Sequence, residues 1–479
     1  MTMMPLIDIT VWGIACFLAS GACAAAAGAA DGGRVFRAGA FAIDVTPRNL
    51  PVIVNGGMAE RTAEKVVDPL HARCLVLDDG RTQVAIAVVD NCLIPRALLD
   101  EAKAAARERT GIPTERMLIS ATHCHSAPSV CPALGSGVEE AYAAYLASRI
   151  AEGIAEAQKR LRPARVGWGV DRDPKNVFCR RYLMKPGTAR TSPFTGHTDD
   201  QCQMNPGYEN PNAAKRAGPV DDAVSVLSIQ TRAGRPLALL ANYSTHYAGA
   251  PALSADYFGV FARKIAEKID APDGFVGIMS NGTSGDANCC DFNHPRRDFD
   301  RFTVGEDTAE AAFRAYQRIE YHDWVPLAME EWVLTLDVRM PSPDEVEEAK
   351  AYIEAHCKGR KPKALPEVYA WETVHLSRMP ATRQLRVQAL RIGALGIAAI
   401  PCEVYGSTGL RLKEASPLAP TFTISLANGC AGYLPPPEQH QLGGYTTWRA
   451  RSSCLETEAE PKIAACVLEL LGRVAEASD

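Results

Sequence analysis

Two histidines one residue apart, His123 and His125, sit in the stretch Ile119-Ser120-Ala121-Thr122-His123-Cys124-His125-Ser126-Ala127-Pro128. Imidazole is the commonest protein metal ligand and a frequent general acid or base near neutral pH. In extended backbone a pair spaced in this way shares one face, so the stretch offers half of a metal site. Two more residues of the ligating kind follow in comparable places: His246 in Tyr243-Ser244-Thr245-His246-Tyr247, and Glu403 in Pro401-Cys402-Glu403. Catalytic zinc sites typically take three protein ligands of this nitrogen and oxygen kind and keep a position open. Singly, each has a plainer explanation, as a core histidine bonded to backbone or a glutamate at a helix start. Their common placement, at the ends of apolar runs, argues that they act together.

Those runs give the elements. Met117 to Ala121 reads as a buried strand that delivers the histidine pair, after an amphipathic helix from Pro95 to Thr110 and before a longer one from Glu139 to Leu161. Upstream, strands at Val35 to Val45, Arg73 to Leu77 and Gln83 to Val89 include a hairpin at Asp79-Gly80. Ala223 to Gln230 and Leu237 to Tyr243, joined by a turn at Gly234, lead to His246; helix Phe258 to Ile269 and strand Phe275 to Met279 lead to Ser280-Asn281-Gly282-Thr283-Ser284-Gly285-Asp286. Polar turns after buried strands are where α/β folds gather ligands. This turn is not a phosphate loop, since it lacks the Gly-Lys-Ser/Thr ending. Helices at Asp307 to Ile319 and Asp344 to His356 and a strand at Glu331 to Val338 serve as framework. A hairpin over Leu385 to Ala399 ends at Glu403, followed by helix Ser407 to Ala415, strand Thr421 to Leu426 and a closing helix Glu456 to Ala475. Between Asp173 and Asp221 the pattern dissolves, which predicts a long loop, functional if it is ordered. The fold expected is α/β, with mixed β-sheets flanked by helices in a single large domain, because hairpins stand beside helical crossovers.

The chain of 479 residues has 51 Lys and Arg against 56 Asp and Glu, a formal charge of -5, without a basic stripe. That excludes the usual nucleic-acid footprint. Residues 1–30 are apolar and then alanine-rich, with Ala-x-Ala cleavage options, and read as a signal peptide despite lacking an early Lys or Arg. The expected location is secreted or periplasmic, a lipoprotein anchored at Cys23 being the lesser reading. Removing Cys16 and Cys23 from 15 cysteines leaves an odd number, some of which an exported chain would pair.

The stretch Thr122 to Pro128 resembles the Thr-His-Thr-His-Ser-Gly-Pro motif of the neutral/alkaline, non-lysosomal ceramidases. Asn242 to Tyr247, Ser280 to Asp286, Pro401 to Glu403 and Ala431 to Tyr445 fall in the same order. The similarity covers 31–479, as a divergent counterpart of the family's amino-terminal catalytic domain, without its carboxy-terminal immunoglobulin-like domain. It implies a zinc (Zn2+) amidase that splits an N-acyl sphingosine into fatty acid and sphingosine through a zinc-activated water. Carried over by position, His123, His246, Glu403 and Tyr433 correspond to the metal ligands and His125 to the histidine facing the scissile amide. Tyr445 matches a tyrosine that stabilises the tetrahedral intermediate. Arg180 matches an active-site arginine, with Arg181 as the one-residue alternative. The implied partner is a small-molecule N-acyl lipid or amide, with no nucleic acid, reached through peripheral contact with a membrane. Gly285-Asp286-Ala287-Asn288-Cys289-Cys290 replaces Gly-Asp-Val-Ser-Pro-Asn, so no serine nucleophile stands there, and Cys179-Arg180-Arg181 replaces an Asn-Arg-Ser-Pro pattern. The alternative reading is a non-catalytic metal-, lipid- or carbohydrate-binding protein on the same scaffold.

Overall fold

Three pairs of parallel strands, each joined through a helix, position the candidate residues. In the computed structural model, which describes residues 34–477, the strand Gln83–Val89 passes through the helix Arg96–Thr110 and returns as Met117–Ala121, with Val89 opposite Ala121. Gly111, in the left-handed region at φ 74°, ends that helix. The same crossover recurs as Pro236–Tyr243, helix Asp256–Lys268 and Val276–Asn281, and again as Leu395–Ile400, helix Gly406–Ala415 and Thr421–Ser425. Both faces of these strands are covered, which is why they read as near-continuous apolar runs.

The first two crossovers form the opposite edges of an eight-stranded sheet, completed by Ala223–Thr231, Arg162–Arg172, Arg37–Asp44 and His71–Asp78 in antiparallel order. The third crossover joins Leu327–Asp337 and Thr382–Ile392 in a four-stranded sheet. One apolar core lies between the sheets, a second beneath the helices on the large sheet, and a third under the closing helix Ala459–Glu476 on the small one. The result is four layers, helices outside and sheets inside. The edges of the large sheet come together around Thr421–Ser425: Asn428 N–H donates to Ile119 O at 2.7 Å, and Asn242 Nδ2 donates to Thr423 O at 3.0 Å. All three crossovers therefore open toward one place.

The mixed α/β architecture matches expectation, including the hairpins at Asp79-Gly80 and Gly234. The stretch from Asp173 to Asp221 does not. It contains the short strands Phe178–Cys179, Arg181–Met184, Cys202–Met204 and Ala213–Arg216, three of them in a small sheet of their own. Strands of two to four residues are too brief to show a period in the sequence. The strand Arg162–Arg172 and the helices Leu365–Leu376 and Pro437–Leu442 also lay outside the expectation. All thirteen described cysteines are free, eleven of them buried. The expected signal peptide lies outside the described residues. Among the described residues no helix is long and apolar enough to cross a membrane.

Candidate active site

The backbone at His123 is not extended. Its φ is 69°, because the strand stops at Ala121 and the His123 N–H turns to Asn91 O at 2.8 Å. The two imidazoles still converge, with His125 Nε2 3.3 Å from His123 Nε2. From the opposite edge of the sheet His246 brings its Nε2 to 3.0 Å from His123 Nε2, and from just beyond the strand Leu395–Ile400 Glu403 Oε2 comes to 3.2 Å. Glu403 is held by a two-residue parallel pairing with Tyr433.

The outward ring nitrogens determine what these groups can do. His123 Nδ1 lies 3.0 Å from Cys92 O and His246 Nδ1 3.1 Å from Ser284 O. A carbonyl only accepts, so both Nδ1 atoms carry a proton, which leaves the two Nε2 atoms as the positions open to a metal. Burial first, then the charge of Arg180, holds His246 well below the ordinary histidine range, so it stays neutral. The two Nε2 atoms thus face each other beside Glu403 Oε2, itself buried and without a hydrogen-bond donor. A divalent cation satisfies all three at once, and backbone carbonyls orienting metal-bound histidines are the usual supporting arrangement. His123, His246 and Glu403 are a metal-competent group; Cys92, His123 and His125 form a second, overlapping one.

Above the cluster opens a cleft of about 180 Å³ whose walls include His125, Arg180, His246, Tyr247, Tyr433 and Tyr445. His125 stacks on Tyr247 with ring centroids 3.8 Å apart, and its buried Nδ1 has no hydrogen-bond partner. Burial, reinforced by His123, Arg180 and Arg61, keeps its pKa well below the histidine norm. Burial, then Glu403 and Tyr445, pushes the Tyr433 hydroxyl well above the ordinary phenol value; burial and Glu403 also raise Tyr445, so both present hydroxyls that can donate.

Two solved structures share this architecture. A ceramidase complexed with C2 superposes with a TM-score of 0.70 at 17% identity, covering 92% of this chain and 76% of that one. A neutral ceramidase from Pseudomonas aeruginosa gives 0.68 at 17%, covering 92% and 75%. The chain has the neutral ceramidase fold. No family model and no curated protein matches the sequence.

Within this ceramidase fold the two adjacent arginines part company. Arg180 lines the cleft, its Nη2 donating to Gly285 O at 3.0 Å and to the Tyr433 hydroxyl at 3.3 Å, while its Nε is buried without a partner. Arg181 points the other way and clamps the segment that carries Tyr445, donating to Gln439 Oε1, Thr446 Oγ1 and Gly443 O at 3.2, 2.6 and 2.9 Å. The structure brings His123, His125, His246, Glu403, Tyr433, Tyr445 and Arg180, all expected from the sequence, to one place; their supports were not expected. Tyr247 adjoins His246 and was read only as part of its strand end. Asn55-Gly56-Gly57, a plain turn signal, passes so close that a Cβ on Gly56 would stand 2.3 Å from His125 Nδ1. Arg61 donates to the His125 carbonyl, a contact no local pattern announces.

Proposed function

We propose that the protein is an exported, zinc-dependent amidohydrolase of ceramidase type, which hydrolyses the amide of an N-acyl sphingoid or a related N-acyl lipid. The observation that carries this reading is the meeting of three metal-competent atoms, His123 Nε2, His246 Nε2 and Glu403 Oε2, beneath a cleft that His246 lines. Two imidazoles and one carboxylate suit zinc, and Tyr433 stands beside them as the further ligand implied by the resemblance. Bound there, zinc supplies a Lewis acid that polarises an amide carbonyl and lowers the pKa of water.

The chain's own residues supply the rest. His125 is neutral at pH 7, so its ring can take the proton of the attacking water and deliver it to the leaving nitrogen as the carbon–nitrogen bond breaks. Arg180 and Tyr445 line the cleft and can supply hydrogen-bond donors where the carbonyl oxygen gains charge; such a donor is often worth ~3 kcal/mol in a water-poor site. Tyr247 stacks on His125 and fixes its ring plane. Asn288 occupies the place of the family's serine, so the reading needs no protein nucleophile.

Metal analysis of the purified chain with an N-acyl lipid assay tests this. Near-stoichiometric zinc, with fatty acid released from an amide, lost on chelation and restored by zinc, is the expected result. Tight zinc binding with no amide turned over would favour the non-catalytic binding protein instead, and a protein unable to take up zinc would overturn the zinc hydrolase.

A further inference from the structure

We propose that the substrate carries an anionic group on the amine side of its amide, as an N-acyl amino acid does, and that Arg190 receives it. This rests on the amide-hydrolase reading and narrows its substrate class.

Apart from histidines, the charged side chains lining the cleft are Arg180 and Arg190, and no carboxylate faces it. Arg180 is buried and committed to Gly285 O and Tyr433. Arg190 is exposed at the rim and makes no hydrogen bond or ion pair among the described residues. Its backbone is anchored nonetheless. Ala189 beside it is buried, and the segment is pinned at its end by Gln201, whose N–H donates to Leu442 O at 2.9 Å and whose carbonyl accepts from Met184 N–H at 2.9 Å. Near it in the same wall stands Asn205, whose Oδ1 accepts from Asn288 Nδ2 at 3.2 Å. The outer cleft therefore offers a guanidinium and an amide, with nothing to receive a cationic head group.

A cleft lined by one sign of charge concentrates ligands of the other. Guanidinium matches a planar carboxylate with two parallel hydrogen bonds, a fit an alcohol cannot reproduce. The volume, about 180 Å³, falls below the ~300–1,000 Å³ of pockets that enclose drug-sized ligands. It suits the amide and a compact acid, with the acyl chain running outward past Met58 or Met204. In the reaction water oxygen bonds to the acyl carbon, the carbon–nitrogen bond breaks, and the products are a fatty acid and a free amino acid.

The test compares N-lauroylglycine with N-lauroylethanolamide on the zinc-loaded chain, and the binding of both by calorimetry. We expect kcat/KM for the glycine conjugate to exceed that for the ethanolamide by roughly tenfold or more, mainly through KM. Arg190→Gln should bring the ratio toward unity, with Arg190→Lys between. A wild-type preference for the ethanolamide, or a ratio unmoved by Arg190→Gln, would overturn the proposal. If neither amide turns over, the hydrolase reading has failed, and calorimetry still decides the anion site: tighter binding of the glycine conjugate, lost in Arg190→Gln, upholds it, and equal binding refutes it.

Discussion

His123 and His246, 123 residues apart in the chain, aim their Nε2 atoms at each other across 3.0 Å, each with its Nδ1 proton held by a backbone carbonyl. Beside the Glu403 carboxylate, two nitrogens so placed make a seat for a divalent cation. Zinc should therefore raise the melting temperature of the wild-type chain by several degrees, since a ligand at about 100 times its Kd adds ~2.7 kcal/mol to the folded state. His246→Ala and Glu403→Gln should each lose most of that shift and weaken zinc binding well over tenfold, as read by thermal melts and equilibrium dialysis. A wild-type melt indifferent to zinc would remove the metal from the account.

Gly56 faces His125 with φ at +94° and no room for a Cβ, which would meet Nδ1 at 2.3 Å. Gly56→Ala should push the imidazole off its stack on Tyr247 while leaving His123, His246 and Glu403 in place. The expected outcome is a fall in kcat of about a hundredfold, the scale of a lost general acid–base, with zinc stoichiometry kept. Loss of zinc in step with activity would show instead that the turn supports the whole cluster.

The adjacent arginines should separate stability from chemistry. Arg181 is fully buried and holds Gln439, Thr446 and Gly443 together, so Arg181→Met should cost roughly 2–4 kcal/mol in urea unfolding, by the loss of several buried hydrogen bonds. Arg180 bonds one carbonyl and one hydroxyl at the cleft, and Arg180→Met should cost less stability but about a hundredfold in kcat. The reverse pattern would mean that the site arginine is Arg181.

What the sequence made legible follows from where chemistry and pattern coincide. The strands leading to His123, His246 and Glu403 are covered on both faces, so they stand out as apolar runs, and a rare residue type at each end marks the site. Arg162–Arg172 carries Gly167 and Gly169, which weaken a strand pattern; in the structure they are flat spots where the backbone of Glu320 and Ala315 and the side chain of Ile319 press against the strand. The buried face of Leu365–Leu376 mixes Glu372 and Thr373 with Val368, Tyr369 and Leu376, which leaves no apolar stripe to recognise. The extended geometry expected for the histidine pair failed at His123, because a left-handed residue is set by the Asn91 carbonyl, far from it in sequence. Arg181, the one-residue alternative for the site arginine, is buried in the core, which nothing in its irregular stretch of sequence announces.

Lys103, on the helix Arg96–Thr110, is 1% exposed, and its ammonium nitrogen has no hydrogen-bond partner. Burial lowers its pKa to about 7, against the pull of nearby Glu331 and with help from Arg386. The unfolded chain keeps a lysine near ~10.4. Between these values the unfolded state binds more protons than the folded one, so this residue makes stability rise with pH from about 7 toward 10, and its penalty is complete below 7. Lys103→Met retains the length without the charge. It should stabilise the chain by roughly 2–4 kcal/mol at pH 6.5 and by much less at pH 9.5, read as the difference in urea unfolding between variant and wild type at the two pH values. An equal gain at both would mean that packing, not the buried ammonium, is responsible; a loss at pH 6.5 would mean that Lys103 has a partner worth more than its desolvation.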